Sequence, residues 1–526
     1  MTICRDLRLL FAIPLIALLT ALAFGQDDGS GQSLGDVARK LRKDTSDEVK
    51  MTDADAKKLF ESVDKILDFA AEDSGLPKRA TVKRRMVGKQ DVEKFASGRL
   101  AREEFTQRFA QEELSMKKLG FLPRGFDLKQ FLVKSTAQQI AGYYDEETKT
   151  ISLLNWVPFD RQEPILAHEL THALQDQNYD LQKWMRAAAK PAGTGNNLDA
   201  SDDAPLARKA VVEGQAMVVY VDYLLAPMER NLADTPDLIY QMEEPVVKAA
   251  ADSQMLHDAP MILREAGTFP YQEGLIFEGE LLQKGGKQMA FAGAFARPPK
   301  NSHEVLEPEA YINSEKPPRV GVPDVKSLLT GQYEIYDSGS IGELDVRALM
   351  KQYGERKSAD DVASAWQGGA YVTYRKEKAP ADGSGSTADL ALLYVSKWRS
   401  PTAALRFAHF YVNAVARRYS TAISQQAAPC DGSGCPVSTA QVLTEEGPVI
   451  VQQWADNRVI VSESFDSETA AKLQKAVRDG AAEHASMLPD DEIGLRLYDI
   501  PAFRDFAQQV GREIVQGMAG NSLAQR

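Results

Sequence analysis

The chain has 526 residues, which is too long for one hydrophobic core, so about two to four domains are expected. With 44% hydrophobic and 26% charged residues, its composition is that of a folded globular protein and argues against disorder on a large scale. The formal net charge of −13 argues against nucleic acid as a main partner, because binding to phosphates relies on clustered cations.

The first 25 residues have the pattern of a secretory signal peptide. Arg5 and Arg8 precede an apolar run over residues 9–23, which ends in small residues suited to cleavage. The alternative is an uncleaved membrane anchor, since the run is only slightly short for a transmembrane helix, and only then is contact with a membrane expected. No other stretch approaches about eighteen consecutive apolar residues, so the mature protein is expected to be exported, either periplasmic or secreted.

A polar stretch followed by a helix is predicted for residues 26–76. Apolar residues recur at helical spacing over residues 59–70, Thr52 can cap the start, and Gly75 with Pro77 ends the helix. The apolar face must be buried, either on the following domain or as a removable or inhibitory pro-segment.

Residues 77–325 are predicted to form one domain. The pattern predicts a strand, a charged helix and two hairpin strands, in that order, at residues 81–87, 90–117, 138–145 and 150–154. A strand beside the helix that follows could hold an extended peptide at the sheet edge, whereas Tyr143 and Tyr144 could equally be ordinary strand residues.

The helix after this hairpin contains the sequence His-Glu-Leu-Thr-His at residues 168–172. His168 and His172 project from one face of a helix and can bind one metal ion, with Glu169 beside them as a general base. This is the H-E-x-x-H pattern of zinc hydrolases, in which the metal lowers the pKa of a bound water. The alternative is two packed core histidines, but burying them and a carboxylate without partners would be costly.

A third metal ligand is predicted on a second helical stretch, residues 205–220. Glu213 lies within an apolar run there, and a carboxylate in such a place needs a partner. The alternatives are an exposed position or a salt bridge to Arg208 or Lys209. Two histidines and this glutamate would leave the fourth position of a zinc ion, Zn²⁺, open for water.

Other polar residues have weaker patterns. Asp202 and Asp203 are rival ligands in a polar loop, where N-capping of the next helix accounts for them. Asp176, one turn after His172, could orient a ligand histidine, cap the helix or face solvent. The candidates for stabilising an oxyanion, which the sequence does not rank, are Tyr271, His257 and His303.

With these residues in place, the chain resembles the gluzincin, or thermolysin-like, zinc metallopeptidases. His-Glu-Leu-Thr-His-Ala-Leu from His168 and Val-Glu-Gly-Gln-Ala from Val212 carry the resemblance. More closely, the chain is similar to poorly characterised bacterial exported proteins that share the extended run through Gln177. Further matches at residues 270–274, 285–286, 298–302 and 308–311 extend the resemblance over residues 80–311. It implies a zincin fold, a zinc ion and hydrolysis of a peptide or protein substrate.

The chain departs from that pattern at two places. The interval from His172 to Glu213 is 41 positions, which is longer than in thermolysin and predicts an insertion around residues 187–203. Glu307 stands where the exported group has a histidine.

Residues 326–526 are predicted to form a separate α+β domain without a catalytic constellation, so that the whole chain is of the α+β class. Helices are predicted at residues 341–353, 402–419 and 468–477, and strands at residues 370–374, 390–395, 449–454 and 458–462. Cys430 and Cys435 flank turn residues and are expected to form a disulfide, with a two-thiolate metal site as the alternative.

Two classes of function follow. The first is an exported zinc metallopeptidase that uses Glu169 as its base, and the second is a binding or scaffold protein with a structural or vestigial metal site. Glu169 favours the first class, because a purely structural site needs ligands but no base. Neither the substrate nor the oligomeric state follows from the sequence.

Overall fold

A computed structural model of the chain describes residues 51–88, 91, 107–136, 143–188, 202–235, 237–316, 320–322, 325–329, 331–377, 379, 385–427, 430, 435–479, 497–499 and 501–524. The predicted signal peptide, the start of the predicted hairpin and most of the predicted insertion lie outside these ranges. All of the described residues belong to one compact unit, Lys50–Arg526.

The first part of the chain is mainly helical. Its helices are α1 (Asp53–Ser74), α2 (Gln107–Leu119), α3 (Leu128–Thr136), α4 (Phe159–Tyr179), α5 (Leu181–Arg186), α6 (Ala204–Leu225), α7 (Asp237–Ala251), α8 (Gln254–His257), α9 (Met261–Lys287), α10 (Ala294–Ala296), α11 (Ser302–Leu306), α12 (Pro308–Ile312) and α13 (Lys326–Leu329). A π-helical segment, Gln288–Gly293, joins α9 to α10.

Helix α1 begins and ends where the capping residues predict. The Thr52 hydroxyl accepts the N–H of Asp55 at 3.1 Å, and Gly75 ends the helix with φ at +70°. Its buried residues Leu59, Val63 and Ile66 form one apolar face, and the helix packs against α4 and α6. The predicted helix and its boundaries are confirmed.

A three-stranded sheet precedes α4. Its strands are β1 (Lys83–Val87), β2 (Tyr143–Asp145) and β3 (Thr150–Leu154), in the order β1-β3-β2. β1 is parallel to β3, and β2 is antiparallel to it, so the predicted hairpin is confirmed for the described residues. β2 therefore lies at one edge of this sheet, in contact with α4, the helix that contains the H-E-x-x-H motif.

The second part of the chain contains a seven-stranded antiparallel sheet. Its strands are β4 (Tyr333–Ser340), β5 (Trp366–Lys376), β6 (Leu390–Trp398), β7 (Ala422–Gln425), β8 (Ser438–Thr444), β9 (Gly447–Gln453) and β10 (Arg458–Glu463). The order is β4-β5-β6-β10-β9-β8-β7. The remaining helices are α14 (Glu343–Gln352), α15 (Ala359–Ala363), α16 (Pro401–Arg418), α17 (Ser467–Asp479) and α18 (Pro501–Ala524).

The central strands are buried on both faces, which explains their nearly continuous apolar sequence. On β6, Leu392 and Tyr394 belong to the main core with α16, whereas Leu393 and Val395 belong to a second core with α17. The predicted helices and strands of this part are all present. Strands β4, β7 and β8 were not predicted, and the α+β class is confirmed.

The last helix, α18, packs against α3, α4, α7 and α9. Phe503, Phe506, Val510 and Ile514 on this helix are buried in the main core. The end of the chain therefore lies against helices that surround the H-E-x-x-H motif, a placement that the sequence does not predict.

Cys430 and Cys435 form a disulfide with their Cα atoms 5.7 Å apart, as predicted. Among the described residues, no helix combines the length and the apolarity needed to cross a bilayer.

Candidate metal centre

Helix α4 brings the motif residues into the core. His168 and Glu169 are buried, with 3% and 7% of their surface exposed, and His172 is partly buried one turn later. The helix is buried because residues on nearly every side of it are apolar, as the sequence predicts.

A close crossing of α6 and α9 positions two further residues of the site. A Cβ atom on Gly214 would lie 2.3 Å from the carbonyl oxygen of Gly274, so the two helix backbones are in contact. Glu213 precedes the first glycine, and Tyr271 lies one turn before the second. The crossing therefore holds Glu213 and Tyr271 beside the motif helix.

Three possible metal-donor atoms converge between the motif helix and the crossing of α6 and α9. Nε2 of His168 and Nε2 of His172 lie 3.1 Å and 3.3 Å from Oε2 of Glu213, and the two nitrogens are 3.2 Å apart. A tetrahedral zinc ion with bonds of about 2.0–2.1 Å requires donors about 3.3–3.4 Å apart. The observed spacing suits a shared ion, and two imidazole nitrogens with one carboxylate oxygen are a donor set that fits zinc.

The orientation of His172 is fixed by Gln175, which the sequence analysis did not single out. Nε2 of Gln175 donates to the carbonyl of Val212 and to Oε1 of Gln215, both at 3.0 Å. The remaining oxygen of Gln175 therefore accepts Nδ1–H of His172 at 2.9 Å. When His172 is neutral, this leaves Nε2 with its lone pair toward the metal position.

Asp176 does not orient either histidine. Its carboxylate accepts the hydroxyl of Tyr144 at 2.8 Å and the ammonium group of Lys149 at 2.5 Å, and so ties α4 to the β2–β3 hairpin. Nδ1 of His168 is buried and has no hydrogen-bond partner among the residues that the structure describes.

Glu213 remains ionised despite its burial. Burial raises the pKa of this carboxyl, but the charges of Lys209 and His172 and its hydrogen bonds to the two histidines outweigh burial, so that the pKa lies well below its usual range. Lys209 contacts the second oxygen, Oε1, at 2.6 Å. For His172, burial lowers the pKa and the Glu213 charge raises it, with a net increase. The salt bridge with Lys209 considered from sequence exists alongside the contacts with the histidines.

Glu169 is held by the edge strand of the small sheet. Its Oε2 atom accepts the backbone N–H of Tyr144 at 2.8 Å. Because that N–H is already engaged, Tyr144 anchors the carboxylate and does not present this N–H group to an added peptide strand.

Of the three oxyanion candidates, only Tyr271 lies at the metal centre. Its ring stacks near His168 with centroids 6.4 Å apart, and burial together with the charge of Glu213 raises the pKa of its hydroxyl well above the usual value. His257 is exposed on α8 and pairs with Asp258, and His303 pairs with Glu343 at 2.5 Å. His257 and His303 do not line the cavity at the metal centre.

The rival ligands also lie outside the group of converging donors. Asp203 occupies the N-cap position of α6, but its carboxylate accepts the N–H of Ser302 at 2.9 Å and makes no cap hydrogen bond. Asp202 accepts the N–H of Ser340 at 2.6 Å. The N-capping prediction is therefore wrong for the side chain of Asp203, because this carboxylate accepts a backbone N–H from the start of α11 instead.

Helix α18 forms one wall of the metal centre. The cavity beside the histidines has a volume of about 40 Å³, and Gln508, Arg512 and Val515 form part of its wall. This volume holds a few water molecules but no peptide. A Cβ atom on Gly511 would lie 1.7 Å from Cζ of Tyr271, so the α18 backbone rests directly on that ring.

A family model described as a domain of unknown function, DUF8575, matches residues 332–476. The matched segment contains the seven-stranded sheet and ends before α18, and it includes no residue of the metal centre. No curated protein matches the chain, and no solved structure matches it.

Proposed function

We propose that the chain is an exported zinc-dependent metallopeptidase with a zincin-like domain, which hydrolyses peptide bonds. The observation that carries this proposal is the convergence of His168, His172 and Glu213 within 3.3 Å, with the buried carboxylate of Glu169 beside them. A structural metal site would not need Glu169.

When bound, zinc would supply a Lewis acid that lowers the pKa of a water molecule and polarises a carbonyl group. His168, His172 and Glu213 would hold the ion, and Gln175 keeps His172 in the required tautomer. Lys209 partly neutralises Glu213 without occupying Oε2, the oxygen that faces the histidines.

Glu169 would take a proton from the attacking water and pass it to the leaving amine. The N–H of Tyr144 fixes the direction of this carboxylate before substrate arrives. Tyr271 remains protonated because its pKa is raised, so its hydroxyl can donate a hydrogen bond to the substrate oxygen as that oxygen gains negative charge.

Two features support the exported location. The first 25 residues have the pattern of a signal peptide, and the disulfide between Cys430 and Cys435 suits an oxidising compartment.

A second candidate function is a binding or scaffold protein whose metal site is structural. The small cavity favours it, because about 40 Å³ beside the histidines leaves no room for a peptide unless α18 shifts. In that case the sheet of residues 332–476 would carry the function.

The test measures zinc content and the hydrolysis of a mixed peptide library. For a peptidase, the wild type and Glu169→Gln should each bind one zinc ion, His168→Ala should lose it, and Glu169→Gln should lose cleavage. Glu163→Gln is the matched control, since Glu163 lies on the same helix outside the cavity. Zinc binding without any cleavage would favour the scaffold with a structural metal site, and a wild type without zinc would exclude both the metallopeptidase and the structural site.

A further inference from the structure

A second cavity, with a volume of about 430 Å³, shares no lining residue with the metal centre. It lies where the C-terminal ends of α2, α14 and α16 meet the N-terminal end of α9. Seven lysine and arginine side chains line it, and no aspartate or glutamate is among its described lining residues. This composition is unexpected in a chain whose net charge is −13.

Four of the seven cations have carboxylate partners behind the cavity wall. The pairs are Lys117 with Glu113 at 2.6 Å, Lys118 with Glu446 at 2.9 Å, Arg124 with Glu445 and Glu446 at 2.9 Å, and Arg418 with Glu463 at 2.8 Å. Seven cations and four carboxylates leave an excess of three positive charges at this site.

The other three cations are Arg264, Arg356 and Arg417. Arg264 donates to the backbone carbonyls of His257 and Ala259, and Arg417 donates to that of Tyr353. Within the described part of the chain, no carboxylate lies within 4.0 Å of any of the three arginines. The carbonyl groups hold two of the guanidinium groups in place without neutralising them.

Helix dipoles account for only part of this cluster. Lys117 and Lys118 lie in the last turn of α2, and Arg417 lies in the last turn of α16, where cations are favourable. Arg264 lies in the first turn of α9, where a cation is unfavourable, and Arg356 follows the end of α14. The positions of Arg264 and Arg356 need another explanation.

The cavity walls are tied together by hydrogen bonds. Gln352 donates to the carbonyl of Gly120 at 2.6 Å and accepts the N–H of Met261 at 3.2 Å. The hydroxyl of Tyr353 also donates to the carbonyl of Gly120, at 2.8 Å. Segments far apart in the chain therefore form this cavity before any ligand binds.

We propose that this cavity binds a small, soluble oxyanion with at least two negative charges, in the form of phosphate or carboxylate groups. Arginine forks match both groups in geometry and charge, and the excess positive charge requires more than one anionic group. The volume lies within the range of about 300–1,000 Å³ that is typical of small-molecule sites. Tyr353 and Tyr419 provide aromatic wall for an organic part of the ligand.

Calorimetry on the full chain tests this with pyrophosphate and with citrate as probes, at constant ionic strength. We expect saturable binding of one anion, weakened about tenfold or more in Arg356→Gln/Arg417→Gln, because each arginine contributes charge-assisted hydrogen bonds. Arg230→Gln, which removes an exposed arginine outside the cavity, should bind as tightly as the wild type. His168→Ala should also bind unchanged, which separates this site from the metal centre.

Arg356→Gln alone is the second variant, because this exposed side chain has no hydrogen-bond or ion-pair partner among the described residues whose loss could unfold the protein. The Arg356→Gln substitution should weaken binding of the anion probes severalfold and leave the melting temperature of the protein unchanged. The proposal is overturned if neither probe binds saturably, if both arginine variants bind like the wild type, or if His168→Ala abolishes binding. Binding to vesicles of anionic lipid without binding of either soluble probe would also overturn it.

Discussion

The side-chain oxygen of Gln175 accepts the Nδ1–H of His172 at 2.9 Å, and the amide group of Gln175 is itself fixed by two hydrogen bonds to α6. This contact determines which nitrogen of His172 faces the metal position. It also joins the motif helix to the helix that provides Glu213, so the two halves of the ligand set are not independent.

Replacing Gln175 should therefore weaken metal binding without removing a ligand. We expect Gln175→Met to raise the dissociation constant for zinc by about 10–100-fold, because His172 loses its fixed tautomer and orientation. Competition with a chromophoric chelator measures this constant. Gln177→Met on the same helix, at a partly buried position bonded to Ala80, is the control and should bind zinc like the wild type. Equal dissociation constants in the two variants would show that Gln175 has no such role.

Glu213 should matter more than Gln175, because it is the one charged ligand of the group. In Glu213→Ala we expect zinc to dissociate more readily than in Gln175→Met, since the ion loses a donor and its neutralising charge. Metal content after dialysis against a chelator gives the answer. A Glu213→Ala protein that retains zinc as firmly as the wild type would exclude this glutamate as a ligand.

The crossing of α6 and α9 should tolerate no side chain at Gly214. We expect Gly214→Ala to lower the free energy of unfolding by about 1–3 kcal/mol or more, because its Cβ would overlap the backbone at Gly274. Urea denaturation measures this change. Gly125→Ala is the matched control, since a Cβ there has nothing within 4 Å, and it should change stability by no more than about 0.5 kcal/mol. Similar changes in the free energy of unfolding for the two variants would show that α6 and α9 can move apart at little cost.

Glu278 should make stability depend on pH. This carboxyl is fully buried on α9, and burial raises its pKa well above its usual value of 4.5 despite the nearby amide of Gln215. Neither oxygen has a hydrogen bond of normal geometry within the described residues. The folded protein thus keeps the carboxyl neutral while the unfolded chain ionises above pH 4.5, so stability falls as the pH rises from that value toward the raised pKa.

Glu278→Gln should remove this loss. The stability advantage of the variant over the wild type is expected to grow as the pH rises above 4.5 and to be smallest below it. Thermal unfolding over a series of pH values tests the trend, and Glu61→Gln at an exposed position on α1 controls for the loss of one negative charge. An advantage that is constant with pH would contradict the buried neutral carboxyl.

Features that depend on local geometry were predictable from the sequence. The capped helix α1, the hairpin before α4 and most strands of the large sheet follow from residue periodicity and turn chemistry. The pairing of His168 with His172 is also local, because a helix places residues four apart on one face. The burial of α4 was also predictable, because apolar residues lie on nearly every side of this helix.

The tertiary structure decided which distant groups meet. The sequence proposed Glu213, but the contact of Gly214 with Gly274 is what places it at the histidines. The same crossing brings Tyr271, and neither His257 nor His303, to the histidines as a candidate oxyanion donor. The packing of α6 on α4 fixes Gln175, so that this residue orients His172, a role that the sequence had suggested for Asp176.

The wall that α18 adds to the metal centre and the basic cavity likewise had no sequence signal. Each joins segments that are hundreds of residues apart, and no residue pattern within one segment encodes its partner. Backbone hydrogen bonding and periodicity act over a few residues, so they determine the elements and the pairing of the two histidines proposed as ligands. The proposed third ligand, the proposed oxyanion donor and the cavity walls depend on how close two helices can approach, which only the packed fold decides.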